Sequence, residues 1–276
     1  MRLILMTALT MLAFAANSLL TRAAIDAGGI TPQAFALIRV LAGAATLAGL
    51  VALRGGALPL MRRARLPGAI SLTVYMIGFS LAYLTLDAGL GALILFGVTQ
   101  ITMFGYGAVT GAAPTVRQLT GAAVAFAGLV LVLWPGAQAT TDPLGAALMV
   151  LAGVGWGAYS LVGRGAAEPL AATAANFILC FPMLLLLFVA FDLRADAAGT
   201  LLAVVCGAVT SGLGYALWYS VLPRMQGATA AVVQLSVPVL AILAGALLLG
   251  EAITPVIALS AALVVGGIGW AVTARR

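Results

Sequence analysis

Aromatic side chains at helical spacing are the first residues in this sequence whose types could do chemistry. Tyr75, Phe79 and Tyr83 recur at i, i+4, i+8; Tyr215, Trp218 and Tyr219 recur at i, i+3, i+4; Trp156 stands three residues before Tyr159. On a helix such spacings put each group along one face. All lie within apolar stretches, where a phenolic hydroxyl needs a partner. A cavity holding water or a bound molecule would supply one, and aromatic walls suit amphipathic bodies and ammonium groups. Ordinary packing between helices is the alternative reading.

A second set is polar: Asn17 and Ser18, Thr99 and Gln100, Ser160, Asn176, Ser211, and Gln234 with Ser236. In lipid such side chains often serve as glue between helices. Gln100 and Gln234 are expected to touch a bound molecule, because a long amide donates and accepts together. Arg39 is the one charged residue inside an apolar stretch, about two turns from its end. It can offer a carboxylate a forked pair of hydrogen bonds. A structural role, snorkelling outward or capping neighbouring carbonyls, is the expectation favoured by its nearness to the interface. Pro182 and Pro238 are the two prolines inside apolar runs. Pro238, preceded by Gln234 and Ser236, is the candidate hinge, since the carbonyl it frees needs a polar cavity.

The absences narrow the chemistry. The chain has no histidine, and its 13 basic residues are all arginine, so the usual general bases and imine-forming amines are missing. Cys180 and Cys206 have no metal-ligand spacing and read as packing residues. No nucleophile–base pair and no phosphate-binding loop occurs. Neither an enzyme nor a need for a cofactor is legible.

The elements that position these residues follow from composition. Of 276 residues, 64% are hydrophobic and 7% charged, against roughly 25% charged in a soluble domain. Only a bilayer makes so apolar an exterior favourable. The fold class expected is therefore all-α and polytopic, with ten transmembrane helices at about 3–21, 32–53, 67–86, 89–109, 115–134, 143–163, 170–191, 197–221, 227–249 and 254–273. Asp87-Ala88-Gly89 and Pro223-Arg224-Met225-Gln226-Gly227 divide the two longest runs. With the N-terminus inside, ten arginines fall on inner segments and two, Arg22 and Arg194, on outer ones. The positive-inside rule then puts both termini in the cytoplasm. Arg2 followed by an apolar run and Ala13-Phe14-Ala15 imitates a signal peptide, but reads better as the first span. The net charge of +6 belongs to this loop asymmetry and is no sign of nucleic-acid binding.

The two halves, 1–136 and 137–276, can be laid over each other. Phe14-Ala-Ala-Asn17-Ser18-Leu19-Leu20-Thr21-Arg22 matches Trp156-Gly-Ala-Tyr159-Ser160-Leu161-Val162-Gly163-Arg164. Pro32 matches Pro169, Arg39 falls opposite Asn176, and Gly121 to Gly128 aligns with Ser260 to Gly267. Five spans per half is an odd number, so the second copy enters the membrane inverted, a recurrent transporter design with its site near the midplane.

Ten spans in five-plus-five order, the stretch Trp156-Gly157 to Arg164 and the Gly250-Glu251 ending of span nine resemble the EamA-type drug/metabolite transporters. Within them the chain looks most like the YddG-type aromatic amino-acid exporters. The resemblance departs at Phe14-Ala15, where the second half has Trp156-Gly157, and at Ala113, where an acidic residue is expected. It implies export of aromatic and other small amphipathic amino acids across a bacterial inner membrane, by alternating access through a central cavity. The implied partners are a small-molecule substrate and the lipid bilayer; the oligomeric state stays open, a monomer being sufficient. Every carboxylate lies in a loop or at a span end, whereas proton-driven pumps usually carry one within the membrane. A facilitator or exchanger is therefore expected. Asp26, Asp87 and Glu251 remain able to titrate at the outer mouth. An exporter of another metabolite or drug is the runner-up, and a channel-like pore the alternative of a different class.

Overall fold

In a bilayer every unpaired backbone N–H or C=O costs several kcal/mol, so a chain this apolar closes its hydrogen bonds within helices. The computed structural model describes residues 2–110, 115–134, 142–164, 166–224 and 233–273. Ala113 and the segment Met225–Gly227 lie outside them. Among the described residues seven helices are long and apolar enough to cross a membrane. They are α1 (Arg2–Asp26), α2 (Pro32–Leu53), α3 (Leu66–Ala82), α4 (Ala88–Val109), α6 (Pro143–Arg164), α7 (Pro169–Phe188) and α8 (Ala197–Val221). Three more apolar helices are shorter: α5 (Val116–Leu133), α9 (Ser236–Leu249) and α10 (Pro255–Val272). Among the described residues there is no strand, and only an isolated antiparallel bridge joins Ile30 to Ala195.

Local chemistry fixes the ends. Thr31 caps α2 by accepting from Ala34 N, with Pro32 in the first turn, where its missing N–H costs nothing. Thr115 and Gln118 form a reciprocal capping box on α5, and Asp196 and Thr254 cap α8 and α10. Gly250 ends α9 at φ +70°, a left-handed conformation that glycine adopts without strain.

Two departures from the sequence reading bear on function. The middle of α8, Cys206–Leu213, is a π-helix. Pro238 does not stand in mid-helix: the chain turns at Leu235, and the proline lies in the first turn of α9. A proline at 238 has no N–H to give the carbonyl of Gln234, so the helix is interrupted there. Pro182, by contrast, is accommodated inside α7.

Packing places α4, the most enclosed helix, at the centre. The principal pairings are α5 with α10, α3 with α6, α4 with α6, α2 with α7, α4 with α9, α1 with α8 and α9, α3 with α7, and α2 with α8. Two glycines set the closest approaches around the site. A Cβ on Gly155 of α6 would meet the Tyr75 backbone N at 2.8 Å, and one on Gly207 of α8 would collide with the Arg39 carbonyl oxygen. Charge is sorted between the two ends of the bundle. One end gathers the loops holding Asp87, Asp142, Asp192, Asp196 and Glu251. These loops are tied by Thr85 Oγ1 to Asp142 Oδ2 (2.9 Å), Thr31 N to Arg194 O (2.9 Å) and Asp196 N to Gly29 O (2.8 Å). The opposite end holds Arg54, Arg62 and Arg65 near Glu168, and Arg117, which donates to Trp270 O at 3.1 Å.

Candidate functional site

The polar heart of the bundle is Arg39, which is fully buried. Its Nε donates to Ser211 Oγ at 3.0 Å, and its Nη2 to Tyr75 OH at 2.9 Å and Asn17 Oδ1 at 3.3 Å. The guanidinium carbon sits 4.8 Å from the Phe79 ring centre and 5.5 Å from that of Tyr75. Snorkelling is thus corrected. The side chain turns inward because α1, α3 and α8 each present a neutral acceptor to it.

Asn17 is the hub. Its Oδ1 also accepts from Thr210 Oγ1 (2.7 Å), Ser211 Oγ (3.0 Å) and Cys206 Sγ (3.3 Å). All three donors come from the π segment. An i→i+5 ladder brings residues i+4 and i+5 together beside residue i, so Cys206, Thr210 and Ser211 converge on one oxygen. Cys206 is buried and free, as is Cys180, which accepts from Thr73 Oγ1 at 3.3 Å. Both pack as expected.

Around this cluster runs a continuous set of rings. Tyr75 lies 5.1 Å from Phe79, and Phe79 4.9 Å from Tyr83, edge to face. Trp156 is the junction, with centroids 5.1 Å from Tyr215, 5.2 Å from Tyr75, 5.6 Å from Tyr159 and 6.1 Å from Phe14. Phe14 extends the set to Trp218 at 5.9 Å. Offset and edge-on rings at these separations are favourable pairs of about 0.5–1.5 kcal/mol each. The aromatic faces are therefore held rather than loose.

Between them lies a narrow cavity of about 10 Å³, the space of roughly one water molecule. Five of the expected residues line it: Asn17, Tyr75, Phe79, Trp156 and Tyr215. Leu95, Phe96 and Phe14 complete the wall. Leu95 and Phe96 gave no sequence signal apart from position. Phe14 had one, its alignment opposite Trp156. Other expected residues stand elsewhere. Tyr83, Tyr159 and Trp218 are buried in the ring set behind the wall, and Tyr219 is half-buried. Ser160 bonds back to the Trp156 carbonyl at 2.7 Å, satisfied by its own helix. Gln100 is buried on α4 beyond Phe96, and Gln234 is half-buried before the turn at Leu235; neither lines the cavity. Thr99 acts as glue, donating to Leu95 O at 2.7 Å and Gly153 O at 3.2 Å.

Further hydrogen bonds tie the loops together at the acidic end. Glu251, in the turn between α9 and α10, accepts from the first amides of α4: Ala88 N on Oε1, and Gly89 N on Oε2 at 3.1 Å. A carboxylate there meets unpaired N–H groups and the positive end of the helix dipole. Burial pushes the Glu251 carboxyl above its ordinary range, with the two amides opposing that shift and Asp87 adding to it. Asp142 is held below its ordinary range by Gly145 N and Thr85 Oγ1. Arg22 pairs with Asp26 at 3.1 Å and donates to Tyr83 O at 3.1 Å, tying α1 to the end of α3. Among the described residues no group of three His, Cys, Asp or Glu side chains lies close enough to hold a metal ion.

An aromatic cavity at the centre of an all-helical apolar bundle agrees with what comparison finds. Residues 143–273 match the EamA-like transporter family. An uncharacterized protein of Pseudomonas aeruginosa is 48% identical over 97% of this chain and 93% of its own length. The second half of the chain is thus of the EamA-like transporter family. The chain also shares its fold with a protein of known crystal structure, at a TM-score of 0.68 and 18% identity, covering 98% of this chain and 97% of the other. The family match points to a membrane transporter of small substrates, and the site described above is where such a substrate would be sought.

Proposed function

We propose that this EamA-family protein is a secondary transporter that exports small amphipathic substrates, amino acids among them, across the bacterial inner membrane. The observation that carries the reading is the cavity itself. Rings from α1, α3, α6 and α8 surround it, Asn17 gives it a polar pole, and Glu251 ties the turn after α9 to the start of α4 at the acidic end. At about 10 Å³ it is far smaller than the ~300–1,000 Å³ usual for ligand pockets. It therefore has to widen to admit cargo, as alternating access requires.

The architecture we read is ten spans in two inverted sets of five, residues 1–136 and 137–276, with both termini cytoplasmic. Its support is that the principal helix pairings are unchanged when each helix is exchanged for the one five places on. The pair α3–α6 becomes α8–α1, α4–α6 becomes α9–α1, and α3–α7 becomes α8–α2; α2–α7, α4–α9 and α5–α10 map onto themselves. The arginine-rich end is then cytoplasmic by the positive-inside rule. Within the spans there is no carboxylate to carry a proton, which favours a facilitator or exchanger. The break at Leu235, just before α9 and close to Pro238, gives the span a place to bend.

The test is flux in proteoliposomes containing only this protein, with labelled phenylalanine, tryptophan, methionine and threonine, with and without an imposed pH gradient. Saturable, trans-stimulated flux indifferent to the gradient is the expected result. Flux that never saturates makes the protein a pore. Flux that follows the gradient overturns the uncoupled mechanism and turns attention to Glu251. No flux from folded protein removes amino acids as cargo.

A further inference from the structure

Arg39 carries a full charge that the protein does not balance. Its hydrogen-bond partners, Ser211, Asn17 and Tyr75, are neutral, and its Nη1 has no partner among the described residues. The ion pairs among those residues are Arg22–Asp26 and Arg194–Asp192, both outside the core. All seven carboxylates of the chain lie in loops or at helix ends. An isolated buried cation is costly, and in a low-dielectric interior its field reaches beyond its immediate neighbours. The cation stands one side-chain layer behind the cavity, since Asn17, Tyr75 and Phe79 touch it on one face and line the cavity on the other.

The hydrogen bonds direct that field inward. Tyr75 accepts from Arg39 through its oxygen, so its own O–H is left to donate elsewhere, and a hydroxyl polarised by a cation is a stronger donor. Asn17 spends its carbonyl oxygen on Arg39 and the π segment, which leaves the cavity without a strong acceptor from that side. Its Nδ2 is likewise spent, on Ala13 O at 3.2 Å and Thr210 O at 3.4 Å, so the polar pole offers the Tyr75 hydroxyl and positive potential. The rings of Trp156, Phe14 and Tyr215 share the wall with it.

From this the geometry points to cargo recognised by its carboxylate: a small monocarboxylate with an aromatic or bulky apolar body, whose anionic head lies against Tyr75 and Asn17 and neutralises Arg39. The inference rests on the transporter reading and sharpens it. An α-ammonium group is tolerated over the aromatic faces but is not what the site reads. Des-amino acids are therefore cargo, whereas the corresponding amines and amides are not.

Binding and flux are measured separately, so that the two readings fail separately. Trp156 fluorescence in detergent-solubilised protein reads binding of 3-phenylpropionate, phenylalanine, phenylalaninamide and phenethylamine at neutral pH. Proteoliposome uptake of the same four reads transport. The two carboxylates are expected to bind at least about tenfold more tightly than the amide and the amine, the scale of a buried charge contact. Tyr75→Phe, which removes only the hydroxyl, should weaken both carboxylates several-fold. Asn17→Asp supplies an internal counter-ion 3.3 Å from Arg39 and should abolish the carboxylate preference while the protein stays monodisperse and helical. Binding of amide or amine equal to that of the acids, or a preference that survives Asn17→Asp in folded protein, overturns the inference, as does failure of all four probes to bind. Selective carboxylate binding without any flux would uphold it and sink the transporter reading instead.

Discussion

Replacing Glu251 by alanine should loosen the acidic end of the bundle by an amount the structure allows to be worked out. The carboxylate is an acceptor for the first two amides of α4, which have no intrahelical partner. Loss of an N-terminal cap costs about 0.5–2 kcal/mol, and loss of a negative charge beside the helix dipole a further ~0.3–1 kcal/mol when exposed to solvent. The carboxylate is only half-buried, so water partly replaces it, and about 1–2 kcal/mol is expected in total. That is a 5- to 30-fold increase in the population of the opened end. Alkylation of a cysteine at Leu86, which is 1% exposed, reads this population when opening is fast relative to modification. The native thiols, both buried, contribute little background. The Leu86→Cys rate should rise 5- to 30-fold in Glu251→Ala. The pH dependence has a definite sign. The closed form holds the Glu251 proton more tightly than an opened, hydrated form, because burial raises its pKa. Closure is then most stable below the ordinary carboxylate range and weakens as pH rises from there through the raised value. The rate ratio of the glutamate protein to Glu251→Gln should accordingly increase across that window. Equal rates in all three proteins, or a ratio that falls with rising pH, would refute the cap as the closing element.

Three further outcomes are expected. Trp156→Leu should lower the preference for aromatic over aliphatic cargo by about 5–10-fold, the worth of one well-placed ring pair; competition against labelled phenylalanine measures it. Gly121→Ala should destabilise the protein by about 1–3 kcal/mol, because its Cβ would collide with the Gly267 carbonyl oxygen where α5 meets α10. Gly105→Ala, with no neighbour within 4 Å, should be neutral or slightly stabilising in the same thermal unfolding assay. Single cysteines at Ala57 and Ala190, both exposed, should react with impermeant reagent only from the cytoplasmic and only from the outer side respectively; the reverse pattern would invert the topology.

Much of the fold was legible because hydropathy and backbone satisfaction leave few choices in lipid. Span two, expected at 32–53, is the helix Pro32–Leu53, and the stripe Tyr75, Phe79, Tyr83 does form a ladder of rings. The spacing of aromatics on one helix is local, so it could be read directly. The candidate site was legible only in part. Asn17, Tyr75, Phe79, Trp156 and Tyr215 meet at the cavity, but Gln100 and Gln234 do not, since nothing in a side chain's type tells which way its helix is rotated.

By itself the sequence determined the membrane class, the helical content, the positions of most helices and the supply of chemistry: rings, hydroxyls, amides and one arginine within the bilayer. Only the tertiary structure decided where that arginine points. Arg39 turns inward because residues distant in the chain, Asn17, Tyr75 and Ser211, bring oxygens to it at 2.9–3.3 Å. The same holds for the π segment and for Glu251 on the first turn of α4, which lies 163 residues from it in the chain. Hydropathy is a property of each segment alone. A hydrogen bond between helices depends on their mutual rotation and depth, which exist only once the bundle is assembled.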